Sequence, residues 1–129
     1  MEELVEVAKN HKEVVGIDVA GGPTINHKYG IHHYVDAFME AEKHGIGRTI
    51  HVGEGREAEE IIDAITLLNP QRLGHACSLL ENKTAVSLVK EREIVIEACP
   101  TSNIHTGIYK SHSQHPIKEW INEGIHVSV

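Results

Sequence analysis

The sequence predicts an α/β fold with parallel strands. Short apolar, β-branched runs alternate with stretches whose apolar residues recur at helical spacing, and Gly, Pro or a polar cluster closes each run. Strands and helices alternate along the whole chain, an order that demands parallel strands joined by right-handed helical crossovers.

The first helix covers residues 2–10, where Leu4, Val5 and Ala8 share a face, and 14–20 is a short apolar strand. Gly21-Gly22-Pro23 ends that strand, and a polar loop runs to about Gly30. Tyr34, Ala37, Phe38 and Ala41 mark a second helix, which Gly45 stops. The second strand is 48–52, and Ala58, Ile61, Ile62, Ile65 and Leu68 then draw a helical apolar face that Asn69-Pro70 terminates. A third strand, 72–77, leads into a helix near 81–91 with Ala85, Leu88 and Val89 inward. The fourth strand, 94–99, stops at Pro100, and Thr101-Ser102-Asn103 opens a polar loop rich in Ser and His. His115-Pro116 begins a helix carrying Ile117, Trp120 and Ile121, because proline's missing N–H would be unpaired at the first helical position in any case. Gly124 ends it, and 125–129 begins a fifth strand.

Composition narrows the classes. The 129 residues hold 12 Lys and Arg against 19 Asp and Glu, a formal charge of -7, which argues against nucleic acid as partner. Forty per cent hydrophobic and 24% charged residues, with a mean hydropathy of -0.24, describe a folded, water-soluble chain rather than a disordered or membrane-spanning one. Acidic residues follow Met1 where a secretory signal would be basic, so a cytoplasmic protein is expected. Cys77 and Cys99 are then expected to be reduced, small packing residues. Eleven histidines are an excess; His11, His27, His32, His33, His44, His105, His112 and His126 sit in contexts where solvent exposure is expected.

Strands this apolar should be covered on both faces. An open doubly wound sheet and part of a (β/α)8 TIM barrel both satisfy that, and the polar residues decide between them. Asp18, His51 with Glu54, His75, and Thr101-Ser102-Asn103 lie at the carboxyl ends of four successive strands. A barrel assembles chemistry from many strand ends, whereas an open sheet draws on one switch point; no G-x-G-x-x-G or P-loop is present. A complete barrel needs about 250 residues, so the chain reads as one partial barrel domain over 1–129. Unpaired edge strands and apolar inner faces would then invite self-association.

Neighbouring parallel strands run about 4.8 Å apart, so His51, Glu54 and His75 can converge on one small site. Imidazole suits zinc, a catalytic zinc keeps an open position for water, and that water ionises near pH 7. A carboxylate at Glu54 could then shuttle a proton. One histidine at that site, or even two, cannot hold a catalytic zinc tightly, so further ligands are expected from elsewhere.

Five segments together carry a specific resemblance: Val14-Val15-Gly16-Ile17-Asp18-Val19-Ala20-Gly21; Arg48-Thr49-Ile50-His51-Val52-Gly53-Glu54; Gln71-Arg72-Leu73-Gly74-His75-Ala76; Cys99-Pro100-Thr101-Ser102-Asn103 with Thr106-Gly107; and His115-Pro116-Ile117. In this order and spacing the chain resembles the adenosine deaminase family of metal-dependent amidohydrolases. The resemblance implies the fourth to eighth strands of the barrel and zinc-dependent hydrolytic deamination of adenosine, or a related 6-aminopurine nucleoside, to inosine and ammonia. It implies His51 as a zinc ligand and Glu54 as the acid that protonates the purine ring nitrogen. His75 would orient the attacking hydroxide, and the Gly21 backbone would touch the purine. Asp18, Ser102 and Asn103 are expected to brace strand ends. The family's His-x-His ligand pair and paired aspartates are expected outside residues 1–129. Val52 and Ala76 stand where the family usually has Ala and Gly, and Gly22-Pro23 where an acidic residue is common. The alternative is a non-catalytic remnant or interaction fragment lacking those outside ligands.

Overall fold

The computed structural model describes residues 1–21 and 29–129. Its helices are α1 (Glu2–Asn10), α2 (Val35–Lys43), α3 (Ala58–Leu68), α4 (Lys83–Glu91), α5 (Pro100–His105) and α6 (Ile117–Asn122). Its strands are β1 (Gly16–Val19), β2 (Gly47–Val52), β3 (Arg72–His75), β4 (Val95–Glu97) and β5 (Val127–Ser128). The strands form one sheet in the order β1-β2-β3-β4-β5, every pair parallel, so each crossover lands on the adjacent strand. That succession is the (β/α) barrel pattern.

Local chemistry explains the helix ends. Asn82 caps α4 through its side-chain oxygen, which accepts from the N–H groups of Thr84 and Ala85. Asn69 closes α3 in the left-handed region at φ 45°, a conformation asparagine tolerates, and Pro70 prevents continuation. Val5, Phe38, Ile61, Ile65, Val89 and Trp120 are the largest of the fully buried helix residues in the apolar core shared with the sheet. No helix among the described residues is long and apolar enough to cross a membrane.

Two expectations are corrected. The segment after Pro100, expected as a loop, is the short helix α5, with Pro100 at its first turn. Pro100 takes the first helical position, where φ near -65° suits the turn, whereas Pro116, expected in that position of α6, stands one residue ahead of it as the N-cap. The strands also alternate instead of being apolar on both faces. One row in register, Val19–Ile50–Leu73–Ile96–Val127, is apolar, and its three central members are buried. The opposite rows are Asp18–Thr49–Arg72–Val95 and His51–Gly74–Glu97–Ser128, where Arg72 and Glu97 form an ion pair. The expected apolar inner face is therefore largely polar. The reason for self-association that rested on that face falls away, leaving β1 and β5 as the sheet's edges.

Candidate active site

The site lies at the carboxyl ends of β1 to β4, and three backbone features shape it. The first is Gly74, registered beside His51. A Cβ on Gly74 would fall 2.8 Å from His51 Cγ, so the missing side chain is the space the imidazole occupies. The second is Gly53, at φ 66°, which turns the chain out of β2; a Cβ there would meet Ile61 Cδ1 at 2.8 Å and Ser78 Oγ at 2.9 Å. Gly53 N donates to Glu60 Oε2 at 2.8 Å, tying the turn that carries Glu54 to the first turn of α3.

The third is left-handed backbone at His75 (φ 65°) and Ala76 (φ 48°). Simple alternation would send His75 to the helix side with Leu73. Instead Ala76 N donates to Gly74 O at 2.9 Å, closing a tight turn around His75. The His75 ring then stands 5.1 Å from the His51 ring, edge to face. Non-glycine residues held in this region store about 1–3 kcal/mol each and cluster at functional sites.

Each of the two histidines has a different holder. His51 Nδ1–H donates to Asp18 Oδ1 at 3.0 Å, across the β1–β2 pair. That bond raises the imidazole's pKa against the opposing effect of burial, and it leaves Nε2 as the unengaged ring nitrogen among the described residues. His75 is 6% exposed, and burial lowers its pKa even though Glu54 opposes the shift. Its Nδ1 lies 3.4 Å from Glu54 Oε1 and accepts from Asn103 Nδ2 at 2.9 Å. Asn103, wholly buried on α5, gives its other amide hydrogen to Glu54 Oε1 at 2.7 Å, and Thr106 Oγ1 donates to that oxygen at 3.1 Å.

Of the expected site residues, the geometry brings His51, Glu54 and His75 together. Gly21 lines a cavity of about 390 Å³ with His51, Glu54, Tyr29 and Tyr34, while His75 stands beside Glu54 without lining that cavity. Asp18 and Asn103 each hold a site histidine; Ser102 is exposed and offers only its carbonyl, to Thr106. Sequence reasoning missed Thr106, Glu60 and His115, whose Nε2 meets Asn103 Oδ1 at 3.1 Å. Thr106 and His115 both lie in the segments that carry the family resemblance, which was the available signal. The histidines expected at the surface are exposed, except His27, which lies outside the described residues. Cys77 and Cys99 are free and half-buried; burial pushes the Cys77 thiol up to about 11, so it is an inert thiol at neutral pH.

The donors present fit a metal in part. A histidine whose Nδ1–H is fixed by a carboxylate is the usual arrangement of a metal-ligating imidazole. Among the described residues, however, no group of three or more His, Cys, Asp or Glu side chains could hold an ion.

Parallel strands in sequential order, with a carboxylate and two imidazoles at their carboxyl ends, define part of a (β/α)8 barrel. The chain belongs to the adenosine deaminase family, whose profile matches residues 1–129. It is similar to an adenosine deaminase of Clostridium botulinum, 39% identical over 120 residues, which are 92% of this chain and 34% of that one. The chain thus spans about a third of the length of such relatives. Among solved structures it is similar to the Arabidopsis protein ADAL complexed with IMP (TM-score 0.84, 28% identity, covering 99% of this chain and 36% of that one). It also shares its fold with an amidohydrolase from Burkholderia ambifaria solved with bound Zn (TM-score 0.78, 21% identity, 97% of this chain and 35% of that one).

Proposed function

We propose that this chain supplies the proton-handling side of a zinc-dependent hydrolytic deaminase. Its substrate is adenosine or a related 6-aminopurine nucleoside, and with adenosine the products are inosine and ammonia. The observation that carries the reading is the meeting of Glu54, His75 and Asn103 at one buried point.

Glu54 has both hydrogen bonds from described residues on Oε1, which leaves Oε2 to carry a proton to the purine ring nitrogen. Protonating that nitrogen draws electrons from the amine-bearing carbon and opens it to attack. His75, accepting at Nδ1, carries its own proton on Nε2 and can orient an attacking hydroxide through it. Gly21, with no side chain, lets a flat base approach the backbone beside the cavity. His51 would hold zinc through Nε2, with Asp18 fixing the ring; the metal, when bound, supplies hydroxide at neutral pH. The remaining ligands come from outside these residues, and the exposed edges of β1 and β5 are where further strands would pair. A cytoplasmic setting suits the two free thiols.

The test is a chimera in which this chain replaces the matching segment of the C. botulinum enzyme. The chimera is expected to release ammonia from adenosine, and residues 1–129 alone are expected to release none. A zinc-loaded, folded chimera without activity would sink the reading; full turnover by 1–129 alone would contradict the ligand account. In the active chimera, Glu54→Gln should retain zinc while the rate falls by about 10²- to 10⁴-fold, the usual contribution of proton transfer.

A further inference from the structure

The donor set around Asn103 has only one consistent assignment. Glu54 Oε1, which also takes the Thr106 hydroxyl at 3.1 Å, accepts whether or not Oε2 carries a proton, and the two acceptors nearest Asn103 Nδ2 are this oxygen at 2.7 Å and His75 Nδ1 at 2.9 Å. The amide must therefore turn its NH₂ toward them and its Oδ1 toward His115. A flipped amide would set Oδ1 against the carboxylate, oxygen to oxygen. With Oδ1 facing His115 Nε2 at 3.1 Å, that nitrogen must carry a proton, and in the neutral ring Nδ1 is then bare. The surroundings agree: His115 is 7% exposed, its Nδ1 is buried without a partner among the described residues, and burial lowers its pKa toward the neutral ring. The adjacent Trp120, its ring 5.4 Å away and perpendicular, carries a buried Nε1 donor that likewise has no partner among the described residues. Tyr109 packs on His115 edge to face, its ring 5.1 Å away, and holds its own place by donating to Cys77 O.

We propose that Asn103 and His115 form a positioning relay in which His115 Nε2–H fixes the orientation of the Asn103 amide, and the amide fixes the His75 tautomer and the Glu54 carboxylate. The proposal deepens the functional reading above and rests on it for its catalytic consequence. Neither residue needs to touch substrate. Without the His115 donor, Asn103 Oδ1 loses its anchor and the amide samples its flipped state. His75 Nδ1 then has no fixed donor, and the ring divides between two tautomers. Only the tautomer protonated on Nε2 presents a hydrogen to an attacking oxygen.

Two substitutions separate this relay from simple packing. Glutamine places its amide nitrogen close to where histidine carries Nε2, whereas asparagine, one carbon shorter, places it nearer Nδ1. Ring-nitrogen NMR on the 129-residue chain is expected to show His75 as a single tautomer protonated on Nε2 in the parent and in His115→Gln. A mixture is expected in His115→Asn, His115→Phe and Asn103→Ala. In the chimera, His115→Asn and Asn103→Ala should lower kcat by about 10²-fold, the cost of a misplaced catalytic group, while KM changes little and His115→Gln recovers most of the rate. A single unchanged His75 tautomer in all variants would overturn the relay, as would equal kcat for His115→Gln and His115→Asn. If a substituted chain fails to fold, the Gln and Asn pair compared in the folded chimera decides the matter. An inactive parent chimera would sink the deaminase reading alone, because the ring-nitrogen spectra test the relay without turnover.

Discussion

His51 and His75 end neighbouring strands with their rings 5.1 Å apart, and the protein treats them in opposite ways. His51 is half-buried, bonded to the Asp18 carboxylate, and shifted toward the charged form. His75 is buried, bonded to a neutral amide, and shifted toward the neutral form. One residue type serves two purposes: the Asp18 carboxylate bonded to His51 favours a charged ring there, whereas burial disfavours one at His75 even with Glu54 beside it. The backbones differ as well: His51 lies in regular strand and depends on a missing side chain next door, while His75 depends on strained left-handed backbone.

The sharpest way to break the His51 half is Gly74→Ala. The new Cβ would lie 2.8 Å from His51 Cγ in a strand paired on both sides, so the ring has to leave its place over β3. Overpacking of this kind costs about 1–3 kcal/mol. The expected outcome is a lower urea midpoint together with loss of the upward pKa shift at His51, read by NMR titration, while the His75 tautomer is retained. An unchanged His51 titration would show that the glycine is not what seats the ring.

Much of this half was legible in the sequence, because His51, Glu54 and His75 are polar residues at the ends of apolar runs. The sheet's alternation was not. Its inward positions include Gly16, Gly47, Gly74 and Val95, which carry no polar signal, and its helix-facing side includes Arg48. That arginine is 6% exposed and is satisfied by the Asn69 carbonyl and by Glu42. A buried charge on the apolar side blurs the period of two, and only tertiary contacts reveal its partners. The second half was less legible. Residues 100–105 have no apolar stripe to mark a helix, and His115 reaches Asn103 through folding rather than through any sequence spacing.

The opposite pKa shifts sharpen the comparison through pH. His51 has a folded pKa above the ordinary imidazole value of about 6.5, so its contribution to stability is full below 6.5 and is lost as pH rises through the raised value. His75 and His115 have folded values below about 6.5, so the unfolded chain binds protons more readily there and stability is lost as pH falls through that window. These three groups together place a stability maximum near pH 6.5, with one limb on each side. Asp18→Asn should flatten the limb above that pH and leave the limb below it in place, as read from urea midpoints across pH 5 to 8. Loss of both limbs would mean that the two histidines titrate as one unit.

The smallest effect should come from Ala76→Gly, the reverse exchange two residues after Gly74→Ala. Ala76 sits at φ 48°, a conformation that costs a residue with a Cβ about 1–2 kcal/mol and costs glycine almost nothing. Against that relief stand the loss of a buried methyl, about 0.8 kcal/mol, and the greater backbone freedom glycine regains on unfolding, about 0.5–1 kcal/mol. The terms nearly cancel, so the urea midpoint should move by less than about 1 kcal/mol in equivalent stability. The hydrogen bonds from Ala76 N to Val52 O and Gly74 O should survive, because both need only the backbone, and with them the His75 ring position. A large loss of stability would show that the methyl's packing outweighs the strain. A shifted His75 tautomer would show that the strained turn needs a Cβ at Ala76 to hold its shape.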